Sequence, residues 1–219
     1  MEKKQPYHHG ALRSALLDEA LRSLERDGLE SLSLRGLAHS VGVSKTAPYR
    51  HFADKRALLV DMAAEGFRMF ADALEAARLP DGPPGGAASG SAASGSETSG
   101  SAASAPVRLL FSAYVRFARS RPALYRLMFS RLGYSLHSEA CRRNAERAFA
   151  CLDGAVTRAQ AAGWHAAEDR RSLALSVWAQ AHGWAGLITD GLLTPDLGPS
   201  TGVAGNAGDA GAPIDALLG

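Results

Sequence analysis

The chain has 219 residues, of which 46% are hydrophobic, and a net charge of +2. That length and apolar share can build one large or two small packed domains, which argues against a disordered or collagen-like chain. A charge so close to zero gives no support to nucleic-acid binding by itself, so any such role has to rest on where the charges lie.

The cysteines are Cys141 and Cys151 alone. Ten residues apart on a helical pattern, they point in different directions, which argues against a disulfide. Two cysteines without clustered histidines make no zinc site, so neither metal nor cofactor is expected. No apolar run approaches the roughly 18 residues of a membrane span, and no signal-peptide core is present. A soluble cytoplasmic protein without membrane contact is the expectation.

Residues 1–9 read as a polar arm. A first helix follows over about 11–27, with Leu12, Leu16, Ala20 and Leu24 as its apolar stripe and Gly28 as its C-cap. Ser33 is placed as the N-cap of a short second helix carrying Leu34, Leu37 and Ala38. Val41-Gly42-Val43 breaks that pattern, and Gly42 can take the left-handed backbone of a tight turn. Ser44 is placed as the next N-cap, ahead of a third helix from Lys45 to Phe52. A short helix, a glycine turn and a second helix make a helix-turn-helix, whose second helix enters the DNA major groove at its N-terminal part. Pro48 lies inside that third helix and removes one backbone donor, tolerable only near a first turn. Phe52 is expected to plug the small core between the first helix and the motif.

The exposed residues of this segment suit DNA. Lys45 and Thr46 are candidates for base contacts, and Tyr49, Arg50, His51 and Lys55 for phosphates. Charge placement agrees: residues 1–57 hold ten Lys/Arg against seven Asp/Glu, and four of the seven histidines. Each of these side chains alone would pass for a solvated surface residue; the argument lies in their joint position on one motif.

The run from Ser33 to Leu59 resembles the DNA-binding signature of the tetracycline-repressor (TetR) family. Ser33 opening the motif, the Gly42 turn, Tyr49-Arg50-His51-Phe52 and Lys55 carry the resemblance. It implies DNA contacts from Ser33, Ser44, Lys45, Thr46, Tyr49, Arg50, His51 and Lys55. It also implies an all-α fold: a three-helix head, joined by a fourth helix to a C-terminal antiparallel helical bundle. The head is placed at 11–71, with the motif at 33–52.

The fourth helix starts after Asp54, as its N-cap, and continues through Leu58, Met62, Phe67 and Leu74 to about residue 78. From Pro80 to Pro106 the chain is almost entirely Ala, Gly, Ser and Pro. It cannot bury enough apolar surface to offset its ordering entropy, so 80–106 is read as a flexible linker. A helix is expected over 107–120, with a short one from Pro122 to Phe129. Longer ones follow over about 139–162 and 167–190, with Gly163 ending the first of them. Residues 195–219 are Gly/Ala-rich and read as a disordered tail.

Residues 107–194 resemble the ligand-binding and dimerisation domain of one branch of the family, through Trp178, His182-Gly183 and the run RPALYRLMF at 121–129. The small-molecule effector implied is mostly apolar with one or two polar groups. Its candidate lining is Phe111, Tyr114, Phe117, Tyr125, Met128, Phe129, Trp178 and His182, since Tyr, Trp and His bring polar tips into an apolar wall. An ordinary packed core is the alternative for each. The last two long helices, rich in small residues such as Ala179 and Ala185, are the expected homodimer contact.

No enzyme signature is present: no GxSxG, no Walker loop, no HExxH and no GxGxxG opening a helix. His182 beside Trp178 and Trp184 reads as a core or ligand-orienting residue rather than a catalytic base. The sequence therefore points to a ligand-responsive transcriptional regulator, a repressor of a palindromic operator. The alternative is a small-molecule-binding or interaction protein without sequence-specific DNA reading.

Overall fold

The computed structural model describes residues 9–78, 96–130 and 138–192. Every regular element among them is helical. The elements are α1 (His9–Ser31), α2 (Leu34–Val41), a 3₁₀ helix (Ala47–Arg50), α3 (Lys55–Ala76), α4 (Ser96–Ser120), α5 (Pro122–Phe129), α6 (Glu139–Ala161) and α7 (Arg170–Thr189).

Local chemistry sets most of the boundaries. Gly28, with φ of 80°, breaks α1 as expected, but one further turn follows it before the chain leaves the helix at Ser31. The Ser33 hydroxyl accepts from the Gly36 amide and opens α2, which Gly42 closes at φ 74° and ψ 33°. Asp54 caps α3 by accepting from the Ala57 amide at 2.8 Å, and Asp169 caps α7 through the Ser172 amide. Gly163, with φ of 98°, follows the end of α6. A side-chain acceptor at each of these N-termini satisfies a donor that has no partner within the helix.

Two boundaries depart from the sequence reading. The expected helix from Lys45 to Phe52 is only the 3₁₀ turn Ala47–Arg50. Pro48 has no amide hydrogen to give to Ser44, so the Ser44 carbonyl is taken by the Ala47 amide at 3.0 Å, three residues on. Ser44 is accordingly not an N-cap; Thr46 holds that position, without a side-chain cap bond. The second departure is α4, which begins at Ser96 rather than 107, so the linker read as 80–106 is helical over its last eleven residues. Ala103 and Ser104 are buried there, which gives this Ala/Ser stretch the tertiary contact that composition hides. Pro106 lies inside the helix and withholds one hydrogen bond without ending it. The rest of that linker, residues 1–8 of the arm read as 1–9, and the tail at 195–219 lie outside the described residues.

Packing divides the chain into two compact units: Met1–Met69 with Arg121–Ala145, and Phe70–Ser120 with Glu146–Gly219. In the first unit, α1 packs on both α2 and α5. Leu16, Ala20, Leu24, Leu37, Ala38, Phe52, Leu58 and Met62 are its buried apolar residues nearest the motif. Leu124 and Met128 of α5 come so close to α3 that a Cβ on Gly66 would stand 2.7 Å from Met128 Cγ. The Cys141 thiol lies against the Val60 carbonyl and Asn144 donates to that of Ala64, which fixes the start of α6 on α3.

In the second unit α4 packs on α7. Val107, Leu110, Phe111, Tyr114, Val115, Ala118, Val177, Ala181 and Ala185 are buried there. Arg147 bridges Asp72 and Glu75 at 2.9 and 2.8 Å. Cys141 and Cys151 are both free thiols, and burial pushes both upward in pKa.

Candidate functional site

The helix-turn-helix presents two outward rows. Because α2 turns Leu34, Leu37 and Ala38 inward, its positions Arg35 and His39 are exposed. On the following turn Lys45, Thr46, Tyr49 and Arg50 are exposed, with Tyr49 at 48%, while Pro48 and Phe52 face the core. His51 is half-buried. Ser44 Oγ and Thr46 Oγ1 lie 3.3 Å apart, one hydroxyl bonding the other. The Ser33 hydroxyl serves as the α2 cap. Six of the eight sequence-predicted DNA residues thus lie on the short segment Ser44–His51. Arg35 and His39 are the exposed basic residues of α2, although the sequence reading left them out; the α2 periodicity was the signal that could have found them.

Lys55 is placed differently. Its ammonium donates to the Leu29 carbonyl at 2.9 Å, so it closes the chain just past the Gly28 break as well as standing beside the motif. An ammonium has three donors, and one such bond leaves two for a phosphate. The Arg13 guanidinium lies 5.6 Å above the Phe52 ring and bonds Asp61 at 2.6 Å, which fixes α1 over the end of the motif.

The predicted effector residues fall into two groups, one in each unit. In the second unit the Tyr114 hydroxyl is 3.0 Å from His182 Nδ1, with the Trp178 ring tilted against the imidazole at 5.9 Å between centroids. Phe70 packs edge-on against Tyr114 at 4.8 Å and tilted against Phe117 at 5.1 Å. Phe111 is buried nearby in sequence on the same helix. Burial holds the His182 imidazole below its ordinary pKa, which favours the neutral ring. In the first unit Tyr125 and Phe129 pack at 4.9 Å, Phe67 meets Phe129 edge-on at 5.4 Å, and Met128 is fully buried. Phe67 and Phe70 of α3 are aromatic members that the sequence reading did not include; their three-residue spacing marks one helical face.

Two family models match. Residues 16–62 fit the family described as bacterial regulatory proteins, tetR family. Residues 107–202 fit the tetracyclin repressor-like C-terminal domain. The chain belongs to the TetR family. Solved structures share the fold. A protein with unknown function from Rhodococcus sp. RHA1 is 35% identical, with 90% of this chain and 91% of that one covered, at a TM-score of 0.69. The fatty acid degradation regulator FadR from Bacillus halodurans shares the fold at 12% identity, with 99% and 96% covered and a TM-score of 0.63. A tetR-family regulatory protein from Rhodococcus RHA1 shares it at 20% identity, with 82% and 92% covered and a TM-score of 0.51. No curated protein matches the chain. This TetR-family protein is a DNA-binding transcriptional regulator, and the helix-turn-helix is its DNA-reading element. No described helix is long and apolar enough to cross a membrane.

Proposed function

We propose that this regulator is a repressor that binds a roughly palindromic operator as a homodimer and leaves it when a small molecule enters its C-terminal half. Lys45 and Thr46 read base edges. Tyr49, Arg50, His51 and Lys55 hold phosphates, joined by Arg35 and His39 of α2. The exposure of Lys45, Thr46, Tyr49 and Arg50 on one short turn supports this.

The observation that carries the effector reading is the Tyr114–His182 hydrogen bond, set among Phe70, Phe117 and Trp178. A neutral imidazole paired with a phenol, inside an aromatic wall, suits a mostly apolar molecule with one or two polar groups. Such a molecule drives release only by binding the released state better than the DNA-bound one. The partner copy is met through α6 and α7. Leu175, Ala179, Gly183 and Leu187, four residues apart along α7, form an exposed apolar row that supports this contact.

The test starts from an operator selected from random duplexes and an effector found by thermal-shift screening. The effector is then titrated against the protein–operator complex. His182→Ala and Tyr114→Phe are expected to shift the release curve to higher effector while operator affinity without effector stays the same. Unchanged curves in both would remove the pair from the effector site.

A further inference from the structure

α5 starts without a cap of its own. Arg121, at the N-cap position, makes no side-chain cap bond, and Pro122, the first helical residue, has no amide hydrogen. The first available donors are the amides of Ala123 and Leu124, and both go to one carboxylate on another helix. Glu25 of α1 accepts from Ala123 with Oε2 at 3.1 Å and from Leu124 with Oε1 at 2.8 Å. A carboxylate at this point also meets the positive end of the α5 dipole. The sequence separation is near one hundred residues, so this cap is tertiary.

Glu25 follows Leu24, which is buried in the core of the same unit. α1 is anchored to the DNA-reading motif at two further places: Arg13 over the Phe52 ring, and the Leu29 carbonyl on Lys55. A displacement of the α5 N-terminus therefore pulls on a helix fixed through Arg13 to the end of the DNA-reading segment, and on the chain that runs on past the Gly28 break to Lys55. Through its side chains α5 also touches α3 around Gly66, with Met128 and Leu124 in close contact.

We infer that Glu25 is a positioning residue that couples α5 to the DNA-reading head, so that occupancy of DNA and the state of α5 are linked through its carboxylate. This rests on the reading of the chain as an effector-controlled regulator, in which Tyr125, Met128 and Phe129 of α5 belong to the effector-responsive part. Linkage is reciprocal, so DNA binding must alter α5 as much as α5 alters DNA binding. The coupling can therefore be read without any effector.

The experiment is amide hydrogen exchange on the full chain, with and without the selected operator, for the wild type, Glu25→Gln and Glu25→Ala. Operator binding is expected to change exchange of the 123–130 amides by about five-fold or more in the wild type, the lower end of ordinary coupling. In both variants that change is expected to vanish. Exchange across α1 reports whether the first unit of each variant is folded, and Gln keeps the side-chain volume should Ala fail to fold. A wild-type α5 indifferent to operator, or a variant whose α5 still responds fully, overturns the coupling while leaving the regulator reading intact. If the wild type selects no duplex at all, the regulator reading falls and the coupling with it.

Discussion

Lys55 combines two demands on one ammonium. Its bond to the Leu29 carbonyl, at a partly buried position, closes the chain past the Gly28 break. Lys55→Met keeps the aliphatic stem and removes that bond, so the protein is expected to lose about 1–2 kcal/mol of stability in denaturant unfolding. The phosphate role adds a separate signature: the salt slope of DNA binding should fall in magnitude by about 1, for cognate and unrelated duplexes alike. A lowered midpoint with an unchanged slope would leave Lys55 as a capping residue only. His182 gives the second prediction at this scale. Burial holds its folded pKa below the ordinary 6.5. As pH falls below about 6.5, the unfolded chain takes up a proton that the folded protein still refuses, so stability declines until the depressed value is reached. Above that range both states are neutral and the effect is absent. The unfolding midpoint of the wild type should therefore drop more steeply from pH 7 to 5 than that of His182→Asn, which keeps an acceptor for Tyr114. Parallel curves would mean that His182 is not the group responsible.

At the scale of elements, α5 lies tight against α3 at Gly66. A methyl on Gly66 would meet Met128 Cγ at 2.7 Å, Sδ at 2.8 Å and Leu124 Cδ1 at 3.0 Å. Gly66→Ala is therefore expected to destabilise by about 1–3 kcal/mol, the range for overpacking. In a Met128→Ala background the same change should cost much less, because the obstructing side chain is gone. Equal costs in both backgrounds, measured as a double-mutant cycle, would place the strain elsewhere. The same scale shows what the sequence could and could not reveal. Ser33, Gly42 and Asp54 announced their caps because each acts on its own neighbours within three residues. The motif and the helical periods of α3, α6 and α7 were legible for the same reason. Pro48 was legible as a lost donor, but not as the cause of a 3₁₀ turn in place of the expected helix, since that depends on which amide takes the Ser44 carbonyl. The start of α4 was hidden because Ala103 and Ser104 are buried in the fold, which composition cannot register. Glu25 was missed as a cap for α5 because its partners lie near residue 124. Among the candidate effector residues of the second unit the residue types were readable, whereas the pairing of Tyr114 with His182 and the entry of Phe70 required the fold.

At the scale of the whole molecule, a net charge of +2 leaves DNA binding to local placement and to symmetry. Two heads reading two half-sites need a two-fold partner, and each head alone offers few phosphate contacts. The α7 helix separates the residues that can meet such a partner from those that build the protomer. Ala179 is exposed, between Leu175 and Leu187, each 42% exposed. Ala185 reads as a dimer residue from its size, but it has 0% exposure inside its own protomer, because α7 turns it inward with Ala181. The two positions should therefore respond differently to the same substitution. Ala179→Arg is expected to leave helicity and melting temperature close to wild type and to give monomers by light scattering, with weak operator binding. Ala185→Arg buries a charge and a large side chain in a packed layer, so it should lower the melting temperature strongly or prevent folding. A folded dimer from Ala179→Arg would move the partner contact off this face of α7. A stable, monomeric Ala185→Arg protein would mean that α7 is rotated from the orientation described here.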